Sequence, residues 1–342
     1  MKKKLKLALI GTDSLRGREI KRVLEQKDFP FRSINFFDDD VGEEYGKLTE
    51  FRGEPKIIYP INEDTLDMAD IIFLAADKEV NKRIIQEALP RGKWVIDLNE
   101  TFAAEGDSRV IVAGINDNKI PMEVPRLISN PHPASIFLSH MIHLIDQNLG
   151  LRKSIAFILQ PVSAFDVTGM DELANQSAEL LGGNSLSKKV FKEQIAFNLL
   201  SHVDTTDKNG FTSVEKQIRS ETKKIFENDK LPLSLTMVQA PVFHTYSIMI
   251  YIEVSEKAEI DDIRSLFNDS SYFHCFTNSD SCQVSSVSAS GKNEIQIGEI
   301  KKDLDFPNGF WIWAIADNLT RGSALNGYEI ASILNSINYE DK

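Results

Sequence analysis

The 342-residue chain is poor in cysteine, in positive charge and in long apolar runs, and each shortage excludes something. Its two cysteines, Cys275 and Cys282, stand in a polar late segment. They are too few for a disulfide framework and have no paired ligand cluster, so a small disulfide- or zinc-stapled domain is excluded and a reducing, cytoplasmic setting is expected. Lys and Arg number 39 against 51 Asp and Glu, a formal net charge of −12 spread along the chain. That field repels nucleic acid and anionic lipid, so neither is an expected partner. No stretch approaches the roughly 20 uninterrupted apolar residues of a membrane span. The basic start, Met1-Lys2-Lys3-Lys4-Leu5, has the look of a signal peptide, but the apolar run after it stops at Gly11. A soluble, unprocessed protein is expected. There is no internal repeat.

What remains is an ordinary globular composition, 42% apolar and 26% charged, in a length that favours two domains at roughly 100–200 residues each. The first half alternates short apolar runs with helix-period stretches. Runs at 5–10, 33–37, 57–59, 71–76 and 94–98 read as strands, with helices near 16–26 and 79–89. Strands separated by helix-length segments imply right-handed βαβ crossovers and a Rossmann-like, doubly wound parallel sheet. The pattern changes near residue 130. A helix over 134–148 follows Ser129-Asn130-Pro131-His132-Pro133, then strand-like runs at 154–159 and 248–254, helices at 171–181 and 215–227, and a final helix at 322–337. The fold class is α/β. Residues 1–132 with the C-terminal helix at about 320–342 are expected as a nucleotide-binding domain, and 133–319 as an α+β dimerisation and substrate domain.

The turn after the first strand reads Gly11-Thr12-Asp13-Ser14-Leu15-Arg16-Gly17. Dinucleotide turns use three glycines, for the tight turn, the close approach to pyrophosphate and the helix packing. Gly11 and Gly17 hold the outer positions, and Ser14 replaces the middle one. Asp38, at the end of the second strand, stands where a carboxylate holds the ribose 2′-hydroxyl of NAD and repels the 2′-phosphate of NADP. Asp13 puts a second carboxylate where pyrophosphate would sit, with only Arg16 and Arg18 nearby in sequence to offset it. The loop therefore reads as a dinucleotide site, as a relic of one, or as a site for another ligand.

The order and spacing of several stretches resemble the aspartate-semialdehyde dehydrogenase family over nearly the whole chain. They include Val95-Ile96-Asp97-Leu98-Asn99, Asn130-Pro131, Gln160-Pro161-Val162-Ser163, Ile195-Ala196-Phe197-Asn198, Glu221-Thr222-Lys223-Lys224-Ile225, Pro241-Val242-Phe243 and Ala316-Asp317-Asn318-Leu319. Asp171-Glu172-Leu173-Ala174-Asn175-Gln176-Ser177 and Val238-Gln239-Ala240-Pro241-Val242-Phe243 are similar to the Usg-type paralogue branch. The resemblance implies an NAD(P)-binding Rossmann domain, a homodimer formed through the second domain, and reduction of an acyl phosphate to an aldehyde through a cysteine thioester, with a histidine managing the proton. It adds Asn318 to Gly11, Ser14, Arg16, Gly17 and Asp38 as expected cofactor-binding residues. NAD is expected over NADP, with neither fixed by the sequence, and no metal is expected.

The residues that the family chemistry requires are substituted. The nucleophile position, at the start of a helix, holds Pro133, which suits a first helical turn but has no nucleophilic side chain. The histidine position holds Tyr246, a poor proton acceptor with an ordinary pKa of about 10. The family glycine before it corresponds to Thr245, the substrate arginine and lysine to Gln239 and Gln217, and the phosphate-side arginine to Ala103. Gln160 and Glu215 match family site positions, either as retained site groups or as ordinary scaffold residues. His132 reads as a replacement nucleophile or base, or as a plain loop or helix-capping residue. His244 would share a face with Tyr246 if the segment is extended, which leaves a compensating role open. Cys275 and Cys282 match no motif position. His140, His143 and Asp146 follow a helical spacing, but a metal site there lacks a fourth ligand, and a packed or solvated face is the plainer reading.

Two functions stay open. The first is a catalytically inactive paralogue that binds an unidentified small molecule or pairs with itself or another family member. The second is a divergent NAD(P)-dependent semialdehyde dehydrogenase or related oxidoreductase in aspartate-family amino-acid biosynthesis.

Overall fold

A computed structural model describes residues 4–41, 47–62, 66–102, 108–276 and 283–340. The chain divides into two units, Met1–His132 with Ser323–Lys342, and Pro133–Gly322.

The first unit contains β1 (Leu5–Ile10), α1 (Leu15–Gln26), β2 (Phe31–Asp38), β3 (Lys47–Phe51), β4 (Glu54–Pro60), β5 (Ile71–Leu74), α2 (Lys78–Ala88), β6 (Trp94–Asp97), β7 (Arg109–Val110) and β8 (Leu127–Ser129). The sheet order is β3-β4-β2-β1-β5-β6-β8-β7. Its pairings are parallel except for the β3–β4 hairpin at one edge. The runs that form β1 and β5 are almost wholly apolar because both faces of the sheet are covered. Leu7 and Leu9 pack on one side with Ile20, Val23 and Leu24 of α1 and with Ile330 and Leu334 of the C-terminal helix. Ala8 and Ile10 pack on the other with Val80, Ile84 and Ile85 of α2. Asp77 caps α2, its carboxylate accepting from the Glu79 and Val80 amides at 3.0 Å.

The β3–β4 hairpin replaces the connection and single short strand expected at 57–59. Its two-residue turn, Arg52-Gly53, has φ of +54° and +73°, the left-handed pair that a tight hairpin requires.

The second unit contains α3 (Pro133–Leu149), β9 (Leu151–Gln160), α4 (Asp166–Leu181), α5 (Ser213–Phe226), β10 (Leu233–Gln239), β11 (Tyr246–Val254), α6 (Ile260–Asn268), β12 (Phe273–Cys275), α7 (Ser286–Ala289), β13 (Ile295–Lys302) and β14 (Gly309–Ala316). Its sheet order is β10-β9-β11-β14-β13-β12, mixed parallel and antiparallel. Ala156, Ile158, Ile248, Ile250, Ile312 and Ala314 are buried on one face, where α3 packs against β9 and β11. The opposite face is also apolar but open: Ile155, Phe157 and Trp311 are 46%, 42% and 39% exposed. The last helix of the chain, α8 (Leu325–Glu340), belongs to the first unit. Among the described residues no helix is long and apolar enough to cross a membrane.

Candidate functional site

In the first unit, β1 lies between β2 and β5, so the strand order reverses there, and ligands bind open α/β sheets beyond the strand ends at such a point. Gly11 has φ +85°, and a Cβ there would lie 2.2 Å from the Ala76 amide nitrogen. A Cβ on Gly17 would lie 2.0 Å from the Gly11 carbonyl oxygen, so backbone packing excludes side chains at both outer glycines. Ser14 is the N-cap of α1, its hydroxyl accepting from the Gly17 amide at 2.9 Å and donating to the Gly11 carbonyl at 3.0 Å.

Asp38 ends β2 and is buried. Among the described residues its Oδ2 has no hydrogen-bond partner, and burial raises its pKa above the ordinary carboxylate value. The nearest cation is Lys47 at 3.6 Å, and Lys47 also pairs with Asp13 at 2.6 Å. Of the two cations nearby in sequence, Arg16 is bound to Glu100 at 2.9 Å and Arg18 is exposed on α1. A glycine cradle that a Cβ would fill, a helix N-terminus and a buried acceptor without a donor fit the adenosine side of a dinucleotide.

Glu100 sits in a loop organised by Asp97, whose carboxylate accepts from the amides of Asn99 at 3.0 Å and Phe102 at 3.1 Å. Burial pushes the Asp97 carboxyl up to about 6. His132 is buried near Glu100 and Arg16, and desolvation lowers its pKa. Asn130 accepts from Asn326 at 2.7 Å and is taken up by the core.

In the second unit several of the expected site positions lie at one end of the sheet. Pro133 opens α3, and Gly322 lies so close that a Cβ there would be 2.7 Å from the Pro133 Cβ. Gln160 and Gln239 end β9 and β10 in register. The Gln239 amide donates to the carbonyls of Gln160 at 3.0 Å and Ala240 at 3.1 Å, while its Oε1 is buried without a partner among the described residues. Tyr246 opens β11 and is buried. Thr245 precedes it at φ +74°, a strained conformation for a β-branched residue. Its amide donates to Asn318 Oδ1 at 3.0 Å, and Asn318 is bonded to Ser163, so Asn318 holds this turn. The left-handed Thr245 breaks the alternation that would have put His244 and Tyr246 on one strand face.

Glu215 is fully used by the scaffold. It accepts from the Thr212 amide at 2.8 Å, the Thr212 hydroxyl at 2.9 Å and the Met237 amide at 2.9 Å, so it completes a capping box and ties α5 to β10. Gln217 donates to Glu221 at 2.7 Å, and Ser135 of α3 donates to the same carboxylate at 2.6 Å. Neither Gln217 nor Gln239 brings the charge that grips an anionic substrate. Burial pushes the Cys275 thiol up to about 11, away from thiolate chemistry at neutral pH. His140 stacks on Tyr272 at 4.1 Å, and His143 lies 6.3 Å from the ring of Phe226. No group of three metal-ligating side chains occurs among the described residues. Ala103 and Cys282 lie outside the described residues.

Lys47 and the strained Thr245 turn are the features that the sequence reading missed. Lys47 lies in the unread hairpin, and a positive φ at threonine has no sequence signature.

One unit is thus a nucleotide-binding-type, largely parallel sheet and the other a mixed sheet covered on one face. Residues 6–122 match the family model described as semialdehyde dehydrogenase, NAD binding domain, and residues 143–321 match semialdehyde dehydrogenase, dimerisation domain. The aspartate-semialdehyde dehydrogenase of Rickettsia bellii (strain RML369-C) is 30% identical over 336 residues, covering 98% of each chain. That of Shewanella sp. (strain DB6705) is 27% identical over 335 residues, again 98% of each. Aspartate semialdehyde dehydrogenase II complexed with ASA from Vibrio cholerae has a TM-score of 0.90 at 25% identity, covering 97% of this chain and 98% of its own. Aspartate semialdehyde dehydrogenase with NADP from Candida albicans shares the fold, with a TM-score of 0.71 at 16% identity over 98% and 99% of the two chains. The chain belongs to the aspartate-semialdehyde dehydrogenase family.

Replacing Thr245 by glycine removes left-handed strain of order 1–3 kcal/mol and restores about 0.5–1 kcal/mol of backbone entropy cost. Thr245→Gly is expected to raise stability by about 1 kcal/mol in urea denaturation, and a loss would show that the threonine side chain holds the turn. His132 and His140 have depressed folded pKa values, mainly through desolvation. Below the ordinary value of 6.5 the unfolded chain takes up protons that the folded chain refuses. The stability present above that pH is therefore expected to fall as pH drops through the depressed values, and the slope should flatten in His140→Phe, which keeps the stack on Tyr272. Urea midpoints across this range check the sign.

Proposed function

We propose that this chain is a catalytically silent aspartate-semialdehyde dehydrogenase-like protein of the Usg-type branch, which keeps the nucleotide unit and the dimer surface while lacking the family's acyl-transfer chemistry. Pro133 carries this reading. It stands at the first position of α3, where the family's chemistry requires a thiolate, and its ring has no atom that can attack a carbonyl. In well-studied nucleophilic enzymes, losing the nucleophile lowers turnover by about a million-fold. Tyr246 for the base, with Gln239 and Gln217 for the substrate charges, supports the same conclusion.

The ligand on this reading is NAD, because the carboxylate of Asp38 accepts a ribose hydroxyl and repels a 2′-phosphate. The domain division falls after His132, and the setting is cytoplasmic. The partner is a second copy of the chain. The open face of the second sheet, with Ile155, Phe157 and Trp311 exposed, is an apolar patch of the kind that a homodimer covers.

Gln160, Asn318 and the Oδ2 of Asp38, which has no hydrogen-bond donor among the described residues, favour a second reading, a divergent NAD(P)-dependent semialdehyde dehydrogenase or related oxidoreductase in aspartate-family amino-acid biosynthesis. The test is a turnover assay on the purified protein with aspartate semialdehyde, phosphate and either nucleotide, with its mass measured by light scattering. The silent paralogue is expected to give no turnover above buffer and a dimer that Trp311→Asp shifts toward monomer. Turnover that disappears in Tyr246→Phe or His244→Ala would establish the second reading instead, and a wild-type monomer at micromolar concentration would remove the dimer.

A further inference from the structure

The turn after β1 is acidic where a phosphate-binding turn is ordinarily neutral or basic, since pyrophosphate is itself anionic. The other basic residues do not correct this: Arg16 is held by Glu100 at 2.9 Å, Arg18 lies exposed on α1, and Arg83 of α2 is held by Asp39 at 2.6 Å. The correction comes from the edge hairpin. Lys47, the first residue of β3, places its ammonium 2.6 Å from Asp13 and 3.6 Å from Asp38. These pairs raise the Lys47 pKa, the hydrogen bond with Asp13 first. The two contacts have different consequences. At 2.6 Å the ammonium cancels the loop acid. At 3.6 Å it stands beyond hydrogen-bond length from Asp38, and the buried Oδ2 of Asp38 keeps its acceptor capacity.

We propose that Lys47 is the residue that lets this acidic turn accept a dinucleotide, by neutralising Asp13 while leaving Asp38 to select the unphosphorylated ribose of NAD. The inference rests on the nucleotide-binding part of the proposed function and assigns that site a specificity residue from the hairpin. Two carboxylates share one ammonium, so the cluster keeps a net negative charge that a ribose hydroxyl tolerates and a 2′-phosphate does not. An exposed lysine serving only solubility would contribute nothing to nucleotide affinity beyond general screening.

The experiment is calorimetric titration of NAD and NADP into the full chain and into Lys47→Met, Asp13→Asn and the double variant, with melting curves to establish that each is folded. The expected result is NAD binding tighter than NADP in the wild type and NAD affinity at least about tenfold weaker in Lys47→Met. Most of that loss should be recovered in the double variant, because without Asp13 the counter-ion is no longer required. Unchanged affinity in Lys47→Met would overturn the proposal. So would an equal loss with and without Asp13, which would make Lys47 a direct phosphate contact. Failure of the nucleotide reading is separate, because it appears in the unmutated protein as no heat with either nucleotide, and the Lys47 assignment falls with it.

Discussion

Three buried carboxylates hold the second unit together, and each spends its oxygens on the scaffold. Glu172 accepts from the amides of Lys189 at 2.9 Å, Phe191 at 3.2 Å and Val190, while Gln176 beside it accepts from the Ile195 amide at 2.8 Å. Together they clasp segment 187–196 to α4. Glu215 ties α5 to β10, and Glu221 ties α5 to α3 through Ser135. Leaving a buried polar group without its hydrogen bonds costs about 1–3 kcal/mol, and more for a charged one, so these positions constrain the sequence strongly. None of these bonds comes from Pro133, Tyr246 or Gln239. Gln217, at the expected lysine position, does bond to Glu221, and Glu215 is itself an expected site position, so only part of the expected site is separate from the groups that hold the fold.

The first unit shows the same division on a smaller scale. Gly11 and Gly17 are required by backbone contacts whether or not a nucleotide binds. Ser14, in place of the middle glycine, acts as a helix cap, so the turn keeps its shape. Asp38 is different, because among the described residues its buried Oδ2 has no hydrogen-bond donor, only the Lys47 ammonium at 3.6 Å, and a buried acceptor is unfavourable until a donor is supplied. That observation links this turn to a ligand more directly than the glycine spacing does.

Much of this was legible in the sequence, for identifiable reasons. The runs that became β1, β5 and β6 are buried on both faces, and their lack of alternation marked a parallel sheet. The N-terminal part of α3 was legible because Asn130-Pro131 and Pro133 punctuate it. The β3–β4 hairpin was not, because Lys47, Leu48, Thr49 and Glu50 carry little apolar alternation and the turn is Arg52-Gly53 where Asn-Gly would signal one. β14 reads Gly-Phe-Trp-Ile-Trp-Ala-Ile-Ala, apolar on both faces because the open face carries tryptophans, and so was not marked as a strand. Within the site, Pro133 at a helix start was readable from its neighbours Asn130-Pro131, and the structure places it first in α3. The Lys47 ion pairs and the Thr245 backbone depend on residues distant in sequence and could not be read from local pattern.

The central claim, that the scaffold survives without a nucleophile, is tested most directly by intact-protein mass spectrometry after incubation with aspartate semialdehyde and NAD in the absence of phosphate. A functional family cysteine would retain the acyl group as a thioester under those conditions, since the phosphate that releases it is missing. The predicted result is an unchanged protein mass, with Pro133→Cys as the comparison for a restored nucleophile position. A covalent acyl adduct on the unmutated chain would contradict the account and identify the residue that took over the role.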